Sequence, residues 1–116
     1  MTPLDAPDLR LVLIATLRPD APLDPDHLRA ALRGGVTLVQ GRGKGLTSRE
    51  LCERYRELLS ICDQHGVPFL VNDRPDIALV VGAAGAHVGP DDLPAARARQ
   101  VLGEGWLGVS ARTPER

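Results

Sequence analysis

Five short apolar segments recur along the chain of 116 residues, and a stretch with helical spacing follows each of the first four. The segments lie at 9–16, 36–40, 67–71, 84–88 and 106–110. The first of them, LRLVLIAT, is a near-continuous apolar run rich in branched residues, which is typical of a strand buried on both faces of a parallel sheet. The alternation of strand and helix therefore predicts an α/β fold with a parallel sheet and right-handed crossovers.

The stretches between the predicted strands carry the start and stop signals of helices. Helices are predicted at 25–33, 48–65, 76–81 and 94–102. Asp24 is expected to cap the first helix and Ser48 the second, while either Asp91 or Asp92 is expected to cap the fourth. Each helix ends at a glycine, at position 34, 66, 82 or 103.

Two architectures fit this order, an open doubly wound sheet and a (β/α)₈ barrel of TIM type. The glycine-rich fingerprint of dinucleotide binding does not follow the first predicted strand, which argues against the open sheet. A complete barrel needs roughly 200 residues or more. Residues 9–116 are therefore expected to form an incomplete barrel domain after a flexible leader at 1–8. Its edge strands, at 9–16 and 106–110, would be apolar and unpaired, which favours association.

The composition excludes some classes of protein. The formal net charge of -1 is unlike that of a general nucleic-acid binder, which needs many cationic contacts to phosphates. Cys52 and Cys62 are interpreted as reduced thiols rather than as a disulfide or a metal pair, because no secretory signal accompanies them. The longest apolar run, at 11–17, is far too short to span a bilayer, and a cytoplasmic location is expected.

Residues 41–47, GRGKGLT, are predicted to form a glycine-rich basic loop after the second strand. Gln40, Arg42 and Lys44 stand at positions i, i+2 and i+4, and in extended backbone this spacing points all three side chains to one side. Arginine offers a bidentate fork and lysine a point charge, a combination that suits a diphosphate. The alternative interpretation is a surface turn with ordinary solvated charges.

Acidic residues follow the third and the fourth predicted strands. Asp73 comes directly after the third strand, and Asp92 comes shortly after the fourth. Because ligands of α/β proteins bind at the carboxyl ends of parallel strands, both carboxylates are expected on one rim, where they could share Mg²⁺. The alternative is that Asp73 and one of the two acids at 91 and 92 only cap the helices that follow.

Three further polar residues complete the predicted rim. Asn72 follows the third strand, His87 lies in the fourth and Ser110 ends the fifth. Asn72 is expected to bond either the local turn or a ligand, and a lone histidine at such a position is more often a packed, hydrogen-bonded residue than a catalyst. No pattern supports covalent catalysis. The convergence of cations, an amide and two carboxylates predicts a site for a diphosphate bridged by Mg²⁺.

Four segments of the chain, in this order and spacing, resemble the thiamine-phosphate synthase family. They are GGVTLVQ at 34–40 followed by Arg42 and Lys44, VNDR at 71–74, GAHVGPDDLP at 85–94 and GVS at 108–110. The resemblance implies a (β/α)₈ barrel and a transferase of thiamine biosynthesis. Such an enzyme joins hydroxymethylpyrimidine diphosphate to thiazole phosphate and releases diphosphate. It also implies a dissociative mechanism, in which Mg²⁺ and cationic residues stabilise the leaving diphosphate.

The resemblance implies roles for the rim residues. Residues expected to bind the pyrimidine diphosphate are Gln40, Arg42, Lys44 and Asn72 at its diphosphate and Ser110 in the pyrimidine pocket. Of these, Arg42 and Lys44 would be the catalytic cations. Asp73 and Asp92 would bind Mg²⁺. His87 matches a motif position of the family, and no firm role is assigned to it.

The chain departs from the family pattern in two places. The family has a large apolar residue and an acid where Gly41 and Gly43 stand, so the strand end that carries Arg42 and Lys44 is expected to be loosened. The family's later lysine and the glycine-rich loops that hold the thiazole phosphate are expected to have no counterpart in these residues. A longer protein, two copies that close one barrel, and a shortened relative all stay open.

Three functions therefore stay open. The first is a synthase, and the second is a non-catalytic fragment or binding module that keeps the Mg²⁺–diphosphate half-site. The third is a thiazole tautomerase, which would not need the full set of diphosphate-binding residues.

Overall fold

The computed structural model describes residues 7–21 and 23–110, and within them five strands alternate with four helices. The strands are β1 (Val12–Leu17), β2 (Leu38–Gly43), β3 (Phe69–Asn72), β4 (Gly85–Val88) and β5 (Trp106–Val109). The helices are α1 (Pro25–Arg33), α2 (Ser48–Gln64), α3 (Pro75–Val81) and α4 (Ala95–Leu102). Most of the predicted leader at 1–8 lies outside the described residues. None of the described helices is both long and apolar enough to cross a membrane.

The five strands form one sheet in the order β1-β2-β3-β4-β5, and each neighbouring pair is parallel. Sheet order therefore equals chain order, and β1 and β5 are the edges of the described sheet. This arrangement confirms the predicted α/β class with a parallel sheet. It also brings the carboxyl ends of all five strands to one rim.

Local chemistry explains where the first two helices begin. The Asp24 side chain accepts a hydrogen bond from the Asp26 N–H at 2.9 Å, so Asp24 caps α1 as predicted. The prediction that Ser48 caps α2 is wrong by one residue, because Thr47 is the cap. Thr47 and Glu50 exchange hydrogen bonds between side chain and backbone, which forms a capping box.

The second strand is longer than predicted. The expectation of a loop from 41 onward is wrong for residues 41–43, because Gly41, Arg42 and Gly43 pair with Ala15, Thr16 and Leu17 of β1. The first strand, by contrast, begins three residues later than predicted. There the Arg10 side chain and backbone N–H turn back to the Asp8 carboxylate, so the chain bends before β1.

The hydrophobic core lies between the helices and the sheet face that they cover. Tyr55 of α2 and Phe69 of β3 are fully buried there and pack edge to face, with ring centroids 5.7 Å apart. Cys62 lies in the same core and Cys52 at its margin. Both are free thiols, as predicted.

The other face of the sheet is less completely covered. Val12 and Ile14 of β1 are exposed on it. A groove of about 600 Å³ runs beside Leu38, Leu70 and Trp106 on the same face. In a closed barrel this face would be turned to the interior.

Candidate functional site

A cleft of about 580 Å³ lies at the rim formed by the carboxyl ends of the strands. It is lined by every residue that the sequence predicts for the site, namely Gln40, Arg42, Lys44, Asn72, Asp73, Asp92 and Ser110. His87 lines it as well. The structure thus brings together side chains that stand up to 70 positions apart in the chain. Ile14 and Asp91, for which the sequence predicts no binding role, also line the cleft.

The cationic side of the cleft is built by the end of β2. Gln40 and Arg42 lie two positions apart in this strand, so both side chains leave the same face of the sheet. Lys44 follows directly, and its backbone N–H donates to the Leu17 carbonyl at 2.8 Å. This bond extends the pairing of β1 and β2 to the residue that carries the second positive charge.

An amide pair joins β2 to β3 beside these cations. The Gln40 Nε2 atom donates to Asn72 Oδ1 at 2.7 Å. This bond fixes which end of each amide faces its neighbour, and it leaves the Gln40 carbonyl oxygen and the Asn72 NH₂ group for other partners. The side-chain oxygen of Asn72 therefore bonds Gln40 of the neighbouring strand, and the alternative of a bond to its own turn is not observed for this atom.

Asp73 stands at the end of β3 in an unusual backbone conformation. Its φ is 70°, and among the described residues it is the one non-glycine residue with a positive φ. Its N–H donates to the His87 carbonyl at 2.7 Å, which ties it to β4. The alternative in which Asp73 caps α3 is wrong, because Arg74 occupies the cap position and makes no side-chain cap hydrogen bond. Left-handed non-glycine residues occur disproportionately at functional sites.

Asp92 lies in the turn after β4. Its Oδ2 atom accepts a hydrogen bond from the Gly89 N–H at 2.7 Å, so the side chain folds back over its own turn. The predicted cap of α4 by Asp91 or Asp92 is wrong, since the cap position belongs to Pro94, which makes no side-chain cap bond. Asp92 thus lines the cleft, and its carboxylate bonds its own turn rather than capping α4.

Asp92 affects the ionisation of Asp73. The pKa of Asp73 is raised, first by burial and then by a hydrogen bond with Asp92 and by the negative charge of Asp92. Lys44 and Arg42 oppose this rise, because their positive charges favour the ionised form of Asp73. The cleft therefore holds two close carboxylates with two cations in electrostatic reach.

This donor set fits Mg²⁺. Magnesium prefers oxygen ligands, keeps several waters and commonly uses one or two carboxylates together with substrate phosphates. In the part of the chain that the structure describes, no group of three or more His, Cys, Asp and Glu side chains could hold a metal ion. Asp73 and Asp92, completed by water and by phosphate oxygens, are the ligands that this cleft would offer a magnesium ion.

His87 and Ser110 form the remaining wall. The His87 Nε2 atom lies 2.7 Å from Ser110 Oγ, which links β4 to the end of β5. A Cβ atom at position 108 would collide with His87 Nδ1, so Gly108 makes room for the imidazole ring. The expectation of a hydrogen-bonded histidine agrees with this geometry, whereas the identity of its partner could not be predicted from the sequence.

Comparison with known proteins places these features in context. A family model described as thiamine monophosphate synthase matches residues 11–116. The chain is 42% identical over 104 residues to the thiamine-phosphate synthase of Chlorobium luteolum, covering 90% of the chain and 48% of that protein. It is 49% identical over 90 residues to a probable thiamine biosynthetic bifunctional enzyme of Schizosaccharomyces pombe, covering 77% of the chain and 17% of that protein.

A solved structure supports the same relationship. Thiamine phosphate pyrophosphorylase from Pyrococcus furiosus matches with a TM-score of 0.80 at 30% identity, covering 90% of the chain and 52% of that structure. The chain spans about half the length of the synthases it matches. Together with the parallel sheet order, this match identifies the fold as an incomplete (β/α) barrel of TIM type.

Proposed function

The chain belongs to the thiamine monophosphate synthase family, and from this premise we propose that its rim cleft binds hydroxymethylpyrimidine diphosphate for transfer to thiazole phosphate. The observation that carries the proposal is the meeting of two cations, two amides and two carboxylates in one cleft. A diphosphate carries several negative charges and many acceptor oxygens, and this mixture of donors and potential metal ligands matches both.

Arg42 and Lys44 act on the leaving group. As the bond between the pyrimidine methylene carbon and the diphosphate oxygen breaks, negative charge accumulates on the diphosphate. Two cations held by the β2 backbone stabilise that charge without reorganising at the moment of reaction. The thiazole nitrogen then bonds to the methylene carbon, and diphosphate is released. Gln40 and Asn72, already bonded to each other, present their free amide groups to the same anion.

Asp73 and Asp92 are the proposed holders of Mg²⁺. A bound magnesium ion would neutralise part of the diphosphate charge and orient its oxygens. The support is the position of both carboxylates in the cleft and the raised pKa of Asp73, which is caused first by burial and then by the hydrogen bond with Asp92 and its negative charge. A divalent cation held by these carboxylates would offset the part of this shift that comes from the negative charge of Asp92.

Ser110 and His87 form the proposed pyrimidine end of the cleft. Their hydrogen bond at 2.7 Å fixes the orientation of both side chains. The Ser110 hydroxyl keeps further hydrogen-bonding capacity, since one O–H and two lone pairs are available to it. The ring can therefore be oriented by groups that sit on rigid strands of the sheet.

The thiazole phosphate is proposed to bind beside the cleft, with help from residues outside the described part of the chain. The chain spans about half the length of the related synthases. The thiazole site would thus be completed by other residues, in the same protein or in a second copy. The cytoplasmic location expected from the sequence stays a prediction.

Calorimetric titration of the chain tests this function. Hydroxymethylpyrimidine diphosphate and inorganic diphosphate would be titrated with and without Mg²⁺, and formation of thiamine phosphate would be followed by mass spectrometry on the same sample. We expect binding that requires Mg²⁺. We also expect a higher unfolding midpoint with ligand, since a ligand at 100 times its Kd adds about 2.7 kcal/mol to stability.

The outcomes separate the alternatives. Binding with turnover would identify a synthase whose thiazole site is completed in solution. Binding without turnover would identify a module that keeps the Mg²⁺–diphosphate half-site. A folded chain that binds neither ligand would contradict the proposal.

A further inference from the structure

We propose that Tyr55 is a positioning residue, which holds the end of β2 in the geometry that Arg42 and Lys44 need to bind the diphosphate. This inference rests on the proposed function for its ligand, and on the described contacts of Tyr55 for its geometry. Tyr55 lies in α2, is 1% exposed and does not line the rim cleft. Its hydroxyl reaches the backbone of β2, the strand that carries Arg42 into the cleft.

The hydroxyl of Tyr55 bonds the backbone on both sides of Arg42. The Gly43 N–H donates to Tyr55 Oη at 2.9 Å, and the Tyr55 O–H donates to the Gly41 carbonyl at 3.3 Å. One buried hydroxyl thus uses its acceptor and its donor on the residues that flank Arg42. The orientation of the arginine is tied to the position of the ring.

The Tyr55 hydroxyl takes the place of a hydrogen-bond partner that β3 no longer supplies. The pairing of β2 with β3 stops at Gly41, opposite Val71. Earlier in β2 the Val39 N–H donates to the Pro68 carbonyl, on the β3 side. Gly43 stands four positions later, so its N–H points the same way, where β3 no longer runs alongside. Tyr55 supplies the acceptor there, and a buried N–H left without one would be costly.

The ring also explains the two glycines of this strand. A Cβ atom on Gly41 would lie 2.6 Å from Phe69 Cζ and 2.8 Å from Tyr55 Cε1. A Cβ atom on Gly43 would collide with Leu51 Cδ2 and lie 3.2 Å from Tyr55 Oη. Tyr55 and Leu51 fill the space that side chains at 41 and 43 would take. The glycines expected to loosen the strand end are instead part of a packed arrangement.

The ionisation of Tyr55 agrees with this role. Burial raises the pKa of the phenol, while the hydrogen bond from Gly43 opposes the rise. The hydroxyl therefore keeps its proton at neutral pH. A neutral phenol can donate to the Gly41 carbonyl while it accepts from Gly43, whereas a phenolate could only accept.

Two readouts on Tyr55→Phe test the proposal, because this change removes only the hydroxyl. The first is amide hydrogen exchange at Gly43, followed by NMR, which needs no ligand. The second is the Kd of Mg²⁺ and inorganic diphosphate, measured by calorimetry well below the unfolding midpoint. Tyr55→Phe removes both hydrogen bonds of the hydroxyl, and the loss of even one net hydrogen bond corresponds to about two- to tenfold, so we expect faster exchange at Gly43 and weaker binding by at least this factor.

Ile61→Val is the matched control. Ile61 is buried in the same helix but does not line the cleft, and its aliphatic side chain has no group that could hydrogen-bond to β2. Ile61→Val should lower the unfolding midpoint. Amide exchange at Gly43 and the affinity for diphosphate should stay close to those of the unsubstituted chain. A residue that only stabilised the fold would behave like this control. Tyr55→Phe with the same pattern would overturn the proposal, and so would faster exchange with unchanged affinity.

A compensating pair provides an independent test. Gly41→Leu alone should lose diphosphate binding, because the new side chain meets Tyr55 and Phe69. Combined with Tyr55→Ala, which empties the space, it should bind more tightly than Gly41→Leu alone. Failure of this rescue in a folded double variant would count against the matched packing. If the unsubstituted chain binds no diphosphate, the proposed function fails, while the Gly43 exchange still decides whether Tyr55 holds the strand end.

Discussion

The Nε2 atom of His87 lies 2.7 Å from the Oγ atom of Ser110. This contact joins β4 to the residue that follows β5, in the same cleft that Arg42 and Lys44 line. The two ends of the substrate proposed above would therefore meet different chemistry, with charged groups at one end and the hydrogen-bonded His87–Ser110 pair at the other.

Ser110→Ala should discriminate between the two ligands. The hydroxyl is proposed to contact the pyrimidine, so the substitution should weaken the binding of hydroxymethylpyrimidine diphosphate. The expected loss is about five- to tenfold, which corresponds to one net hydrogen bond. The affinity for inorganic diphosphate should stay within error. Calorimetry with both ligands measures the difference. Equal weakening of both would assign Ser110 to the diphosphate end or to the fold.

Arg42→Met should strongly weaken the binding of inorganic diphosphate. A hydrogen bond to a charged group contributes about 1.5–3 kcal/mol, which corresponds to roughly 10- to 100-fold in Kd. The matched control is Arg33→Met, which makes the same charge change at the exposed C-terminal end of α1. Titrations at two salt concentrations separate local from general electrostatics. Similar losses in both variants would show that only net charge matters.

Asp73→Asn should abolish the gain in diphosphate affinity that Mg²⁺ provides, and it should leave the fold intact. Asparagine tolerates the left-handed conformation of this residue, whereas alanine at a φ of 70° is strained by about 1–2 kcal/mol. Urea denaturation should therefore show lower stability for Asp73→Ala than for Asp73→Asn. Calorimetry with and without Mg²⁺ gives the metal effect, with Asp63→Asn, an exposed acid at the end of α2, as the control. Unchanged magnesium dependence in Asp73→Asn would remove Asp73 from the metal site.

Cys62 should resist alkylation in the folded chain. Burial raises its pKa from 9.0 to about 12, and the thiolate is the reactive form. Iodoacetamide at pH 8 should therefore modify Cys62 only after denaturant is added, as peptide mass spectrometry would report. Rapid modification of the native chain would contradict the buried position.

The same shift predicts a dependence of stability on pH. Above the unfolded value of 9.0 the unfolded chain loses the thiol proton and the folded chain retains it, so the free energy of unfolding should fall as pH rises toward 12. Cys62→Ala lacks this thiol. Its stability should fall less steeply over the same interval, and equal slopes in urea denaturation would contradict the prediction.

Short-range chemistry explains what the sequence predicts well about the fold. Asp24 and Pro25 mark the start of α1, and the glycine at 34 marks its end. These signals lie directly at the ends of the helix, and its predicted and observed bounds coincide. The end of β2 is different. Gly41 and Gly43 are typical of a loop when only the local sequence is considered. The side chain that packs against them, Tyr55, stands 14 and 12 positions away in α2.

The candidate site shows the same limit. Strand ends and the resemblance indicate which polar residues meet at the rim, and these residues do line one cleft. The partners within the cleft are harder to predict. Gln40 and Asn72 are 32 positions apart, and His87 and Ser110 are 23 apart, so each pair depends on strand register and on rotamers that only the packed sheet determines. The Thr47 capping box, by contrast, carried a readable signal in the glutamate three residues later.

The identity of sheet order and chain order has a consequence for synthesis on the ribosome. Domains are made from the N-terminus, and each strand here joins the free edge of a sheet whose earlier members already exist. No described strand has to be inserted between two that are already paired. The cations of β2, the acids after β3 and β4 and the hydroxyl after β5 would emerge in that order. The side chains proposed to bind the diphosphate would therefore emerge before Ser110, which is proposed to contact the pyrimidine.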